Sequence, residues 1–205
     1  SSRRFSCSRA SARKRLARIK KTVGLEKAAS AGTGYGRRTL PFAKEEIRSE
    51  ILCHGLGAHA MFPGTRTVLD IGGQDTKVIR VDGISGRPLK FEMNDRCAAG
   101  TGKFLEVMAK TLGYAIEEFG HKALRAENDL TISSMCTVFA ESEVTSLIAT
   151  GNSRREIARG LHASVIRRAA GMINRVSSEG DIVFTGGVAN NPCMVAFLAE
   201  KLDRR

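Results

Sequence analysis

The alternation of apolar and polar residues divides the chain into predicted strands and helices. Residues 66–82, RTVLDIGGQDTKVIRVD, contain two β-branched runs on either side of a Gly-Gly pair, which predicts a β-hairpin with a polar tip. Apolar residues at helical spacing then predict a helix that stops near Gly113 and two more over residues 138–149 and 157–176. Residues 181–202 predict a buried strand, a second Gly-Gly turn and a last helix. The order β-β-α-α-α-β-α indicates an α/β fold.

Length and composition limit the class of protein. A chain of 205 residues with 42% hydrophobic content can bury one sizeable core or two small ones. No apolar run approaches the roughly 18–20 residues of a membrane-spanning helix, and the start of the chain lacks the apolar middle of a secretory signal. The five cysteines are odd in number and widely spaced, which favours reduced thiols over a disulfide framework. We therefore expect a cytoplasmic protein with no membrane partner.

The net charge of +12 is concentrated at one end of the chain. Residues 1–27 contain ten Lys or Arg and one Glu, which places +9 of that charge in this segment. The segment has no interleaved aromatic residues and no motif that reads bases, so nucleic-acid binding is not favoured. We predict a basic N-terminal segment over residues 1–31, solvated as a helix or poorly ordered, followed by a core over residues 32–205.

The two Gly-Gly turns are the first candidates for chemistry. In DIGGQD, residues 70–75, glycines leave backbone N–H groups free to approach a phosphate, and Asp70 and Asp75 could hold Mg²⁺ through water. In TGGVANN, residues 185–191, the turn joins a buried strand to a helix, where α/β proteins bind nucleotides. Ordinary structural turns have the same composition. Two such turns, each after an apolar strand, indicate nucleotide binding as strongly as they indicate plain connections.

Two cysteines precede predicted helices. Cys97 comes before AAGTG and Cys136 before the helical run at residue 138, so both are predicted near helix N-termini, where the dipole favours a thiolate or an anionic cluster. Spacing alone favours buried structural cysteines over metal ligands. If both are ligands of a 4Fe–4S cluster, one chain supplies two of four thiolates. A homodimer with the cluster on its two-fold axis would then supply the rest.

The remaining cysteines and histidines show no spacing typical of a triad or a metal site. Cys53 and His54 are adjacent, and adjacent helical residues face different directions, which favours helix packing over a metal pair. Cys193 is predicted to be structural. The other histidines are expected to be surface or capping residues: His59, His121 and His162.

Four segments resemble, in this order, the BadF/BadG/BcrA/BcrD ATPase family, which comprises activators of 2-hydroxyacyl-CoA dehydratases and ATPase subunits of benzoyl-CoA reductases. They are VLDIGGQDTKVIRVD, MNDRCAAGTGKFLEVMAKTLG, ISSMCTVFAESEVTSLIATG and FTGGVANNPCMVAFLAEKL. With GTGYGR and residues 49–63, the resemblance covers residues 32–202. It implies the duplicated ATPase fold shared with actin, hexokinase and the heat-shock chaperone ATPases, with ATP in the cleft between two halves.

The resemblance also implies roles for residues of this chain. The first turn would form a phosphate and Mg²⁺ motif, the second would lie at the nucleoside, and two cysteines would hold a single 4Fe–4S cluster between two subunits. The implied residues are, respectively, Asp70, Gly72, Gly73, Gln74 and Asp75; Gly186, Gly187 and Asn190; and Cys97 and Cys136. The catalytic members of this set would be Asp70, Gln74 and Asp75.

The implied activity is ATP-driven electron transfer. In such proteins ATP changes the angle between two helices beside the cluster and drives one low-potential electron, donated by ferredoxin or flavodoxin, into the dehydratase or reductase. The alternatives are a nucleotide-binding kinase-like protein of the same fold with metal-free cysteines, and an inactive ATPase-fold protein. Residues 1–31 lack the family's first phosphate motif, DxGSTxxK, and the chain stops at KLDRR before a further strand and helix. We therefore expect a fold that is incomplete at both ends.

Overall fold

The structure is a computed structural model that describes residues 9–22, 24, 29, 31–34, 36–40, 42–133, 136–176 and 181–202. Residues 1–8 of the predicted basic segment and residues 203–205 of the predicted core lie outside the described residues. Within these ranges the chain forms the following elements: α1 (Arg9–Thr22), α2 (Glu50–Met61), β1 (Thr67–Ile71), β2 (Thr76–Val81), β3 (Pro88–Asn94), α3 (Gly102–Thr111), α4 (Ile116–Leu124), α5 (Thr137–Ala149), α6 (Arg154–Val176), β4 (Ile182–Thr185) and α7 (Pro192–Lys201). Short 3₁₀ turns lie at Arg37–Thr39, Lys44–Glu46 and Gly187–Asn190.

The predicted α/β class and most predicted elements are confirmed. The hairpin is β1 and β2, the three middle helices are α3, α5 and α6, and the C-terminal strand, turn and helix are β4, a 3₁₀ turn and α7. The predicted order omitted β3 and α4. In β3 the apolar residues Leu89, Phe91 and Met93 are exposed and alternate with polar ones, so no buried run marks this strand.

The strands form a four-stranded sheet in the order β3-β2-β1-β4. β1 pairs antiparallel with β2 and parallel with β4, which returns after the helices. Asp70 lies directly opposite Lys77 in the β1–β2 ladder, and Thr185 lies opposite Asp70 in the β1–β4 ladder. The three polar residues therefore sit side by side at the carboxyl end of β1.

The two faces of the sheet bury different partners. Leu69, Ile71 and Val78 point into the large core formed with helices α3 to α7. Because side chains alternate along a strand, Val68 and Ile79 point to the opposite face, where they pack with Ala58 of α2. The same alternation places the side chains of residues 70 and 77 on the α2 side. Among the described residues, no helix combines the length and the apolar character needed to cross a bilayer.

Candidate functional site

The turn between β1 and β2 exposes backbone at its tip. The Gly72 N–H donates to the Asp75 carbonyl (2.9 Å), which closes the turn. A Cβ at Gly72 would lie 2.8 Å from Asp75 Oδ1, so a side chain there would displace the Asp75 carboxylate. A Cβ at Gly73 would meet no atom within 4 Å, and Gln74 beside it is exposed. The tip therefore offers open backbone to a ligand, as the phosphate hypothesis requires.

Below the turn, a buried ion network joins the two strands. Lys77 Nζ lies 3.2 Å from Asp70 Oδ2 and 2.8 Å from Asp75 Oδ1, and the side chains of Lys77 and Asp70 are only 2% and 4% exposed. The other Asp70 oxygen accepts a hydrogen bond from Thr185 Oγ1 (3.0 Å). Asp70 is thus fixed by partners on both neighbouring strands.

Helix α2 adds two residues that the sequence interpretation missed. Glu50 Oε1 lies 2.7 Å from Lys77 Nζ, and His54 Nδ1 lies 3.7 Å from Asp70 Oδ1. The two are four residues apart and so share one face of the helix, which begins at Glu50 after the Ser49 cap. The Glu-x-x-x-His spacing before the hairpin was the available signal. His54 was expected to serve helix packing, but the structure places it beside Asp70.

The carboxylates around Lys77 determine its protonation. Burial, the largest single influence, lowers the pKa of Lys77, but the hydrogen bonds that Lys77 donates to Asp75 and Glu50, together with the charge of Asp70, outweigh it and raise the pKa above its usual value. Lys77 is therefore an ammonium at any pH at which the protein works.

The second Gly-Gly turn meets the first beside Asp70. Gly186 has φ of 88°, and a Cβ there would collide with the Ile71 carbonyl and lie 2.9 Å from Asp70 Oδ1. Glycine is therefore required both by backbone conformation and by the close approach of β1. The parallel pairing of β1 with β4 brings the two turns together, which the sequence could not show.

A cavity of about 340 Å³ opens between the two turns. Its wall includes Gly73 of the first turn, Gly187 and Asn190 of the second, and the carboxylates of Glu106 and Glu117 from α3 and α4. The cavity has the dimensions and the mixed apolar and polar wall of a small-molecule site. Of the predicted nucleotide-site residues, Gly73, Gly187 and Asn190 line this cavity. Asp70, Gly72, Asp75 and Gly186 belong to the turns that border it or to the strand end beneath them.

Beneath the second turn, His162 holds Asn191. His162 was expected at the surface but is 0% exposed. Its Nδ1 donates to the Ala158 carbonyl (2.7 Å), so Nε2 accepts from Asn191 Nδ2 (3.0 Å), while Asn191 Oδ1 caps α7. Burial lowers the pKa of His162 to about 4. The prediction of surface or capping histidines is wrong here, because α6 is buried around most of its circumference.

The two candidate ligand thiols are exposed, which corrects the expectation of buried structural cysteines. Cys97 lies on the loop between β3 and α3, where Asn94 Nδ2 donates to the carbonyls of Cys97 (2.9 Å) and Ala99 (3.0 Å). The loop is held through its main-chain carbonyls and not by packing of the Cys97 side chain, so the thiol is exposed. Cys136 is the residue that caps the start of α5.

Cys193 behaves as predicted for a structural residue. It is buried in the large core, and burial raises the pKa of its thiol to about 12. A thiol that stays protonated is a poor metal ligand. Cys193 is therefore a packing residue, whereas Cys97 and Cys136 are exposed and accessible to a ligand.

The turn between β1 and β2, residues 72–75, is called the phosphate turn after its predicted role. It is hydrogen-bonded directly to the helix that follows Cys97. The N–H groups of Gly102 and Lys103, the first two residues of α3, donate to the carbonyls of Gly72 and Gly73 (both 2.8 Å). Thr76 Oγ1 also donates to the Gly100 carbonyl (2.7 Å). The turn is therefore joined directly to the loop that carries Cys97.

The donor sets fit the implied groups in different ways. Carboxylate oxygens of Asp70 and Asp75 suit Mg²⁺, and two thiols suit half of a 4Fe–4S cluster. Among the described residues, no three His, Cys, Asp or Glu side chains are arranged to hold a metal ion by themselves. That finding agrees with an ammonium filling the space between the acidic groups.

Comparison with known proteins gives close matches. The chain is 44% identical over 171 residues to a 2-hydroxyisocaproyl-CoA dehydratase activator of Clostridioides difficile, covering 83% of this chain and 64% of the relative. The crystal structure of Acidaminococcus fermentans (R)-2-hydroxyglutaryl-CoA dehydratase component A superposes with a TM-score of 0.84 at 40% identity, covering 94% of this chain and 75% of that one. An ADPNP-bound activator of the 2-hydroxyisocaproyl-CoA dehydratase from Clostridium difficile gives 0.82 at 39% identity, covering 94% and 72%.

The matches cover more of the chain than the resemblance found in the sequence, and they identify the fold. The chain spans 60–65% of the length of three curated dehydratase activators that it matches. The model of the BadF/BadG/BcrA/BcrD ATPase family matches residues 4–205, so it also covers most of the basic segment, where the sequence showed no resemblance. The fold is the actin-like ATPase fold of these neighbours. The chain belongs to the BadF/BadG/BcrA/BcrD ATPase family.

Proposed function

We propose that this chain binds Mg²⁺–ATP at its paired Gly-Gly turns and couples it to one-electron transfer through a 4Fe–4S cluster shared by two copies of the chain. The observation that carries the proposal is the bonding of the phosphate turn to α3. Two main-chain hydrogen bonds join the residues that would hold phosphate to the helix that follows Cys97.

The nucleotide would lie along the 340 Å³ cavity. Phosphate oxygens accept from the open backbone at Gly73, beside Gly72, while Asp70 and Asp75 hold Mg²⁺ through water and Gln74 orients a water at the turn. The nucleoside lies toward the second turn, against Gly186, Gly187 and Asn190. Glu106 and Glu117 supply carboxylates that can accept hydrogen bonds from ribose hydroxyls.

The thiols support the electron-transfer part of the proposal. A 4Fe–4S cluster, when bound, supplies one-electron redox chemistry. Cys97 and Cys136 are both exposed, so both are available to a group outside the fold. Two thiols per chain require a second copy, which makes a homodimer part of the proposal. Their exposure disfavours the alternative with buried, metal-free cysteines.

In this proposal, the main-chain hydrogen bonds between the phosphate turn and α3 couple nucleotide binding to the position of the Cys97 loop. A phosphate that draws the Gly72–Gly73 backbone toward itself changes the position of the carbonyls that receive the first N–H groups of α3. The start of α3 and the Cys97 loop then shift relative to the rest of the chain. We propose a 2-hydroxyacyl-CoA dehydratase as the electron acceptor, with a benzoyl-CoA reductase as the second possibility, and ferredoxin or flavodoxin as the donor.

The test is the visible spectrum of anaerobically purified protein. Brown, dimeric wild-type protein with iron–sulfur absorption is expected, and the spectrum should change when Mg²⁺–ATP is added. Cys97→Ala and Cys136→Ala should each be colourless, whereas Cys53→Ala, which alters a half-buried cysteine of α2, should keep the colour. Colourless, monomeric wild-type protein would overturn the electron-transfer proposal. If it still bound ATP, the kinase-like alternative would stand.

A further inference from the structure

Lys77 is a lysine that the fold buries among acidic groups. It lies on β2, on the face of the sheet that packs against α2, with 2% of its side chain exposed. Lysine is rarely buried unless it is paired, because a desolvated ammonium is costly. A lysine kept in this place therefore has a role that an apolar residue cannot fill.

The geometry around its Nζ atom is a tripod. An ammonium has three N–H donors, and three carboxylate oxygens lie within reach: Glu50 at 2.7 Å, Asp75 at 2.8 Å and Asp70 at 3.2 Å. The three come from the start of α2, the phosphate turn and the end of β1. One side chain thus fixes the relative positions of three elements that surround the candidate phosphate site.

The charges around Lys77 do not cancel. Three carboxylates against one ammonium leave two negative charges, the amount that one divalent cation would neutralise. The ammonium itself stands where the three carboxylates converge. A metal ion that approached without phosphate would meet this positive charge before it met enough oxygen ligands.

We propose that Lys77 is the positioning residue of the phosphate and magnesium site and acts as a built-in cation, so that the site takes up a divalent metal only together with a nucleotide. This inference rests on the proposed nucleotide site. Phosphate oxygens bring the negative charge that offsets Lys77. Asp75 and Glu50, at 24% and 23% exposure, can turn toward the metal, whereas Asp70 stays fixed.

The experiment compares metal binding with and without nucleotide in the full chain. Mn²⁺ alone is titrated and followed by electron paramagnetic resonance, and Mg²⁺–ATP binding is measured by calorimetry. The variants are Lys77→Met and Lys77→Arg, with the exposed Lys110→Met as the matched control. Methionine is one atom shorter than lysine and uncharged, so it vacates the place of the ammonium.

The expected effects have opposite signs. In Lys77→Met, Mn²⁺ alone should bind at least about tenfold more tightly than in the wild type, and Mg²⁺–ATP at least about tenfold more weakly. Lys77→Arg keeps the charge but, as a planar fork, cannot direct three donors as a tripod. It should leave Mn²⁺ binding weak and still weaken Mg²⁺–ATP. Lys110→Met should match the wild type in both measurements.

Each outcome decides a question. If Lys77→Met weakens both metal and nucleotide binding, Lys77 is merely structural and the inference fails. If the wild type binds no nucleotide, the proposed function fails, while the Mn²⁺ comparison still tests Lys77. Should Lys77→Met not fold, the double variant Lys77→Met/Glu50→Gln removes one unpaired carboxylate. Tighter Mn²⁺ binding than in Glu50→Gln alone is then expected, and equal binding overturns the proposal.

Discussion

The phosphate region and the thiol region of this molecule are built in opposite ways. At the first, Asp70 and Lys77 are almost fully buried and every charge has a partner within the chain. At the second, Cys97 and Cys136 are exposed at the ends of loops and point outward. The first region is held together by contacts within the chain, whereas in the proposed function the second would be completed by ligands from outside the chain.

The Cys97 part of the second region nevertheless adjoins the first region at the start of α3. Its first two N–H groups are used by the phosphate turn rather than by a side-chain cap. A helix N-terminus needs such acceptors because its first N–H groups have no partner within the helix. In the proposed function the two regions would be the two ends of one mechanical connection, with a rigid end at the turn and a yielding end at the thiols.

The largest expected effect is the loss of the cluster from the yielding end. Cys136→Ser should abolish iron–sulfur absorption completely, because each chain then supplies one thiolate and two copies supply only two. Affinity for Mg²⁺–ATP, measured by calorimetry on the same sample, should stay within about twofold of the wild type. A variant that retained the cluster would break the comparison, since the ligands would then lie elsewhere.

The next effect concerns the rigid end. Asp70→Asn removes one charge from the buried network and turns an amide donor toward Lys77 or Thr185. Breaking a buried ion pair costs about 3–5 kcal/mol, which urea unfolding should show as a loss of stability. Mg²⁺–ATP binding should fall at least about a hundredfold, while cluster absorption per folded chain stays unchanged. Persistence of ATP-dependent electron transfer in this variant would remove Asp70 from the site.

The rigid end could be predicted in outline from sequence because its signals are local. β-Branched runs around GGQD specify both strands of the hairpin, and β1 and β2 have the predicted bounds, residues 67–71 and 76–81. The partners from α2 could not be predicted. The Glu-x-x-x-His spacing places Glu50 and His54 on one face of a helix, but their approach to the site depends on how that helix packs across the sheet, which the spacing does not specify.

The exposure of the thiols, in contrast, was not predicted from the sequence. Cysteine is among the most buried residue types, so spacing alone predicted a packed side chain at residues 97 and 136. The structure exposes both cysteines, and at Cys97 the loop is held by Asn94 through the carbonyls of residues 97 and 99. His162 was mispredicted for a related reason: a polar residue on a helix that is buried around most of its circumference gives no sign in sequence of its partner Asn191.

The pH dependence of the free energy of unfolding tests the region beneath the second Gly-Gly turn, because His162 is buried there and holds Asn191. The pKa of His162 is about 4 in the fold against an ordinary value of 6.5, so the unfolded chain takes up this proton first as the pH falls. The shifted pKa of His162 contributes about 3 kcal/mol to the free energy of unfolding above pH 6.5, and this contribution is lost as the pH falls from 6.5 to 4. Urea unfolding of wild type and His162→Phe across this range should show the difference, and the exposed His121→Gln should follow the wild type.

The smallest effect should come from loosening the thiol region without touching a thiol. Asn94→Ala removes two hydrogen bonds to the carbonyls of the Cys97 loop, each worth about 1 kcal/mol. Because the phosphate turn is held by the main chain of α3, ATP affinity should not change, whereas the cluster should decay several-fold faster in air. Asn152→Ala, which removes a side-chain amide hydrogen bond to the Leu147 carbonyl at the far end of α5, is the matched control. Equal decay in both variants would show that the loop gains no rigidity from Asn94, and that the yielding end is positioned by the partner copy alone.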